Sequence, residues 1–131
     1  LTDLSYDDLD LFSNAYSVAL KLSKLALNKL SDDGKLIFIG SAAGMPGHIL
    51  GAYVPYSVYK GSLNLLAEGF YKESHKTVSY INLWGFRDEV TETYLQTAEV
   101  VDAIIDVANN ENGYIQRNVM SKSDEIEHLG G

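Results

Sequence analysis

Apolar residues recur at helical spacing from the ninth position: Leu9, Phe12, Tyr16 and Leu20, then Leu22, Leu25, Ala26 and Leu30. Residues three or four apart share one face of a helix, so the pattern predicts a long helix from about Tyr6 to Leu30. Thr2, Asp3 and Ser5 offer N-caps, and Asp7, Asp8 and Asp10 suit the positive end of the helix dipole. Ser31-Asp32-Asp33-Gly34 is a turn cluster that stops it. Lys35 to Gly40 reads KLIFIG, an apolar run too short for a typical helix. It predicts a strand buried on both faces, as in parallel sheets. Ser41 to Pro55, holding Gly44, Gly47, Gly51 and both prolines, reads as a loop. A loop of that length inside a compact domain is often functional.

A second helix is expected from about Tyr56 to Glu73, with Val58, Leu65, Leu66 and Phe70 on its apolar face. Val78 to Leu83 is rich in β-formers and predicts a second strand. Trp84 to Thr97 has weak periodicity and reads as loop with room for a short helix. Val100, Val101, Ile104 and Ile105 predict a third helix over Ala98 to Ala108. Tyr114 to Met120 predicts a third strand, and the polar tail Ser121 to Gly131 is expected to be loose. Helices alternating with strands imply an α/β fold: a Rossmann-like parallel sheet flanked by helices, here a partial unit of about three strands. The 131 residues are expected to form a single domain.

Composition narrows the function classes. The formal net charge of −8 argues against nucleic acid, whose phosphates need clustered Lys and Arg. The absence of cysteine excludes disulfides, thiolate catalysis and Cys-based metal sites, and fits a cytoplasmic protein. No uncharged apolar run is long enough to span a membrane, and the acidic start lacks the basic region of a secretory signal. His48, His75 and His128 stand apart, without the spacing a metal site requires.

Three features could carry chemistry. Ser41 follows the first strand, and ligands of open parallel sheets bind outside the carboxyl ends of strands. Position alone fits a turn cap better. Tyr56 and Lys60 stand at i and i+4 and share a helix face. An ammonium beside a phenol favours the phenolate, which suits it for proton transfer. A surface pair at this spacing also arises by chance. Asn14 lies inside the first helix, where Asn is a modest helix former; facing solvent is its plainest reading.

Together the three change meaning. FSNAYSVAL, KLIFIGSAAG, YSVYKGSLNLLAEG and VSYINLWG occur in an order that resembles the short-chain dehydrogenase/reductases. In that family an Asn-bearing helix precedes a strand ending in Ser. A helix opening with Tyr-x-x-x-Lys follows, then a strand leading to an Asn-Pro-Gly loop. The resemblance covers about Tyr6 to Met120 and implies a catalytic set of Asn14, Ser41, Tyr56 and Lys60. Tyr56 would exchange a proton with a carbonyl or alcohol. Lys60 would support the phenolate and bind the nicotinamide ribose, Ser41 would bond the substrate oxygen, and Asn14 would hold a water that relays protons. It also implies NAD or NADP as cofactor, held in part by Gly40, Tyr56, Lys60 and Gly85. The expected partner is a small carbonyl or alcohol substrate, touched by Ser41, His48 and Trp84. A homo-oligomer built through the helices carrying Asn14 and Tyr56 is expected as well.

The chain also differs from the family pattern. No glycine-rich dinucleotide fingerprint precedes Asn14, so the sequence reads as the catalytic half of such an enzyme, with the N-terminal dinucleotide-binding half absent. Asn82-Leu83-Trp84-Gly85 replaces Asn-Pro-Gly. The threonine that commonly follows has no clear match, Glu89, Thr91 and Thr93 standing nearby. Tyr53 lies nearer the usual distance from Ser41, but Ser57, not a lysine, stands four residues beyond it, so Tyr56 is the tyrosine chosen. A non-catalytic relative acting as an interaction or scaffold subunit is the alternative reading.

Overall fold

The computed structural model describes residues 4–48, 54–84 and 97–120. Its elements are α1 (Tyr6–Lys29), β1 (Lys35–Ser41), a 3-10 turn (Ala42–Gly44), α2 (Val54–Ser74), β2 (Thr77–Trp84), α3 (Thr97–Asn110) and β3 (Tyr114–Met120). The three strands form one parallel sheet in the order β1-β2-β3. This is the partial α/β unit that the alternating pattern predicts. The expected loop from Ser41 to Pro55 is shorter than read: the 3-10 turn occupies its start and α2 its last two residues. Pro55 is tolerated there because the first helical turn lacks intrahelical partners for its N–H groups. Residues 1–3, 49–53, 85–96 and 121–131 lie outside the described residues, and with them Thr2, Asp3, Tyr53, Gly85, Glu89, Thr91, Thr93, His128 and the polar tail.

Local chemistry fixes the ends of α1. Ser5 is its N-cap: Ser5 Oγ accepts from the Asp8 amide at 3.1 Å, and the Asp8 carboxylate accepts from the Ser5 amide at 3.0 Å. This reciprocal pair satisfies two orphan donors, and the Ser5 hydrogen bonds hold the Asp8 carboxyl below its ordinary range. At the other end Lys76 Nζ donates to the carbonyls of Leu27 and Leu30, at 2.9 and 2.7 Å. One ammonium thus serves carbonyls that the helix leaves unpaired and ties α1 to the entry of β2.

Strand alternation sorts the sheet into two faces. Phe38, Val78 and Tyr80 lie on one and pack with Leu27 of α1 and Leu63 and Ala67 of α2. Phe38 stacks on Phe70 of α2, ring centroids 6.3 Å apart. Tyr114 donates to Asn64 of α2 at 2.7 Å and stacks on Tyr71. The opposite face carries Arg117, which pairs with Asp106 and Glu111 at the end of α3. Those contacts hold Arg117 charged and the Asp106 carboxyl below its ordinary value. β2 is the central strand, and Val78 through Asn82 are buried.

Between α1 and α2 runs an open groove of about 450 Å³, lined mainly by Leu9, Phe12, Tyr16, Val54, Pro55 and Val58. Val58 on its wall and Leu65, seven residues further along α2, have 64% and 72% of their surface exposed. No described helix is long and apolar enough to cross a membrane.

Candidate active site

Because the strands are parallel, their carboxyl ends converge on one rim: Ser41, Trp84 and Met120, with Ser41 paired to Leu83 and Trp84 to Met120. Ser41 is the last residue of β1 and the cap of the turn that follows, its Oγ accepting from the Ala43 amide at 3.2 Å. The turn-capping role and a place at the strand end therefore coincide in one side chain.

Tyr56 lies in the first turn of α2 and Lys60 one turn on. Lys60 Nζ is 5.9 Å from the centroid of the Tyr56 ring and 5.7 Å from that of Tyr59, within reach of cation–π attraction. It also donates to the Ile39 carbonyl at 3.3 Å, which brings the ammonium of α2 down to the end of β1. Burial pulls the Lys60 pKa below the ordinary lysine value, since an ammonium loses water there. Lys60 is thus the link between the Tyr56 ring and the end of β1.

Close backbone approach makes this possible. A Cβ on Gly44 would sit 2.6 Å from the Gly61 amide nitrogen, and one on Gly61 would sit 2.8 Å from the Gly44 carbonyl oxygen. The 3-10 turn therefore packs on α2 next to Lys60 with no room for a side chain on either. Gly40 is a third such place: a Cβ there would lie 2.0 Å from the Tyr80 hydroxyl oxygen. The Tyr80 ring fills the space over Gly40, and its hydroxyl lies 3.5 Å from the Lys60 carbonyl and 3.4 Å from Asn82 Oδ1. Burial pushes the Tyr80 phenol above its ordinary range, keeping it neutral.

Beneath the rim runs a polar ladder. Buried Asn82 donates to Asn118 Oδ1 at 3.1 Å and to the sulfur of Met45. The Trp84 indole donates to the same Asn118 oxygen at 3.3 Å. Trp84 meets His48 edge-on, ring centroids 4.7 Å apart, so the two side chains read as substrate contacts are neighbours.

Asn14 is not gathered in the same way. It is exposed on α1, one helical turn from Leu11 and Val18, which are 66% and 53% exposed. It makes no side-chain hydrogen bond among the described residues. Tyr80, Asn118 and Met45 were not singled out from the sequence. Tyr80 could have been found by alternation within VSYINL, but its contact with Gly40 needs the register of β1 on β2.

Among the described residues no cluster of His, Asp or Glu could hold a metal. The donors that Lys60 and Tyr56 present, an ammonium and a phenol, fit a ribose diol at the nicotinamide end of a dinucleotide. For the pyrophosphate end, the glycines that follow β1, Gly40, Gly44 and Gly47, do not have the G-x-G-x-x-G spacing of a dinucleotide-binding turn, and Gly44 is packed against Gly61 of α2.

The chain matches no protein-family model and no curated protein sequence. Solved structures do match. A doubly substituted short-chain dehydrogenase/reductase of Serratia marcescens superposes with a TM-score of 0.70 at 19% identity, over 90% of this chain and 57% of that one. A second such variant gives 0.66 at 19% identity, over 90% and 56%. A Brucella melitensis protein described as short-chain dehydrogenase/reductase SDR:Glucose/ribitol dehydrogenase gives 0.60 at 16% identity, over 74% and 49%. This chain thus has the fold of part of those short-chain dehydrogenase/reductase structures, a partial Rossmann-like sheet of three parallel strands. The chain spans about half the length of the solved structures it matches.

Proposed function

We propose that the chain carries the acid–base site of a short-chain dehydrogenase/reductase that interconverts a carbonyl and an alcohol with NAD or NADP. The observation that supports this most is Lys60, whose ammonium lies over the Tyr56 ring and donates to the Ile39 carbonyl near the end of β1, in a fold shared with those enzymes. Tyr56 holds the proton that passes to or from the substrate oxygen. Lys60 steadies the phenolate by its charge and offers its remaining donors to the ribose. Ser41 Oγ donates to the substrate oxygen, where charge develops. Asn14 is assigned a water-holding role through its family position only. The nicotinamide, when bound, supplies or accepts the hydride. Titration with NADH and NADPH, followed by nicotinamide fluorescence, tests the reading. Saturable binding, weakened about tenfold or more by Lys60→Met, is expected, since charge-assisted hydrogen bonds contribute about 1.5–3 kcal/mol. The absence of saturable binding by the full-length protein counts against it.

The apolar outer face of α1 and α2 favours a second, compatible role in pairing with another copy of this chain. It carries an apolar cleft with exposed Val58 on its wall, and exposed Leu65 seven residues further along α2, features that an isologous interface could use. On α1 the acids, Asp7, Asp8 and Asp10, precede the bases, Lys21, Lys24 and Lys29. Two antiparallel copies would therefore set opposite charges against each other. Sedimentation is expected to show a dimer that Leu65→Glu converts to monomer. A wild-type monomer at tens of micromolar (about 10–50 µM, where a dimer of about 1 µM Kd would dominate) would overturn the pairing.

A further inference from the structure

We propose that Met45, His48 and Trp84 wall a binding site for an uncharged, apolar, ring-bearing alcohol or ketone. The inference rests on the oxidoreductase reading for the reacting group, an alcohol or ketone; the preference for an apolar ring comes from the wall itself.

The three side chains reach the rim from different elements. Met45 and His48 follow the turn after β1, and Trp84 ends β2. Each strand end is where an open parallel sheet receives its ligand. The wall is held from below. Asn82, fully buried, donates to the Met45 sulfur and to Asn118, and Asn118 accepts from the Trp84 indole. One pair of ladder partners, Asn82 and Asn118, thus anchors both the thioether and the indole. Fixing side chains before the ligand arrives lowers the ordering cost of binding.

The contact between His48 and Trp84 lies at the rim and not in the core: His48 is exposed and Trp84 half-buried. Packing a loop against a strand end would account for the contact alone. It would not account for a polar ladder aimed at both neighbours of His48. An edge-to-face aromatic pair beside a polarizable thioether presents ring faces and edges, the surface against which an aliphatic or aromatic ring packs.

The charges of the described rim residues favour an uncharged ligand. The described side chains at this rim, Ser41, Met45, His48, Tyr56 and Trp84, include no arginine or lysine besides Lys60, whose donors are taken by the Ile39 carbonyl and, on the proposed function, by the ribose. Arg117 belongs to the opposite face of the sheet, in its pairs with Asp106 and Glu111. A carboxylate or phosphate on the substrate would lose water and gain no dedicated counter-charge from these groups.

Trp84 is the only tryptophan in the chain, so its emission reports on this wall directly. This 131-residue chain would be titrated with cyclohexanol, glycerol and lactate, none of which absorbs with indole. The expected result is a saturable emission change with cyclohexanol alone. Half-saturation near about 1 mM is reasonable for so small a ligand. His48→Ala should weaken it about 5- to 10-fold, the scale of one aromatic contact, and His48→Phe, which keeps a ring, should restore it. No saturable change, or equal responses to all three compounds, would overturn the proposal. So would a His48→Ala variant that binds cyclohexanol as wild type does. The outcome is separable from the oxidoreductase reading. Cyclohexanol binding without nicotinamide binding would sink that reading and leave the wall. Nicotinamide binding without a preference for cyclohexanol would sink the wall alone.

Discussion

Gly40→Ala lowers the stability of the domain by about 1–3 kcal/mol, the range for overpacking a filled core, although local preference points the other way. In a strand, alanine is better than glycine by roughly 0.5–1 kcal/mol, because glycine loses more backbone freedom on folding. Sterics win here because the new methyl would stand 2.0 Å from the Tyr80 hydroxyl oxygen and 2.1 Å from the ring carbon bearing it. Tyr80 cannot swing aside cheaply: only 1% of its surface is exposed and its ring is part of the core. Moving it disturbs the contact with the Lys60 carbonyl and hence the seat of α2 on β1. Thermal unfolding followed by circular dichroism would show a midpoint lower by about 3–5 °C for each kcal/mol lost in a domain of this size. The double variant Gly40→Ala/Tyr80→Leu should be more stable than the sum of its single changes, since the smaller side chain removes the clash. A Gly40→Ala midpoint equal to that of wild type would show that Tyr80 does not fill this space.

On the proposed function, Tyr56→Phe is expected to reduce carbonyl or alcohol turnover by about 100- to 10,000-fold, the range expected when a positioned acid–base group is lost. The change removes one oxygen from a half-buried ring that makes no hydrogen bond among the described residues. Stability should therefore stay within about 0.5 kcal/mol of wild type. That contrast separates chemistry from packing: Gly40→Ala acts on the fold, Tyr56→Phe on the rate. If Tyr56→Phe unfolded the domain as readily as it slowed turnover, a structural role for the ring would explain both.

Much of the fold was legible because its signals are local. The 3.6-residue period of α1, the run KLIFIG and the β-rich VSYINL each decide an element without help from the rest of the chain. Parallel pairing followed from alternation alone. The start of α2 was read two residues late, since Pro55 looks like a breaker unless the first helical turn is already known. The site was legible in part. Tyr56 and Lys60 could be paired by spacing, because a helix turns i and i+4 to one side. What sequence could not give was register. Gly40 as the seat of Tyr80, Gly44 against Gly61, and Asn82 bonded to Asn118 all depend on which residue lies opposite which. Asn14 shows the converse. Its position matches the family pattern, yet it shares a face of α1 with exposed Leu11 and Val18. Spacing fixed where it falls along the helix but not what it meets.

The central claim is that Tyr56 serves a hydride transfer between an alcohol carbon and a nicotinamide. Its most direct test is to incubate the full-length protein with oxidised NAD or NADP and cyclohexanol deuterated at the carbinol carbon, then weigh the recovered dinucleotide by mass spectrometry. Transfer of the deuterium to the nicotinamide ring by wild type, and its loss in the folded Tyr56→Phe variant, is the expected result. No transfer by wild type across a panel of apolar alcohols, or equal transfer by the variant, would contradict it.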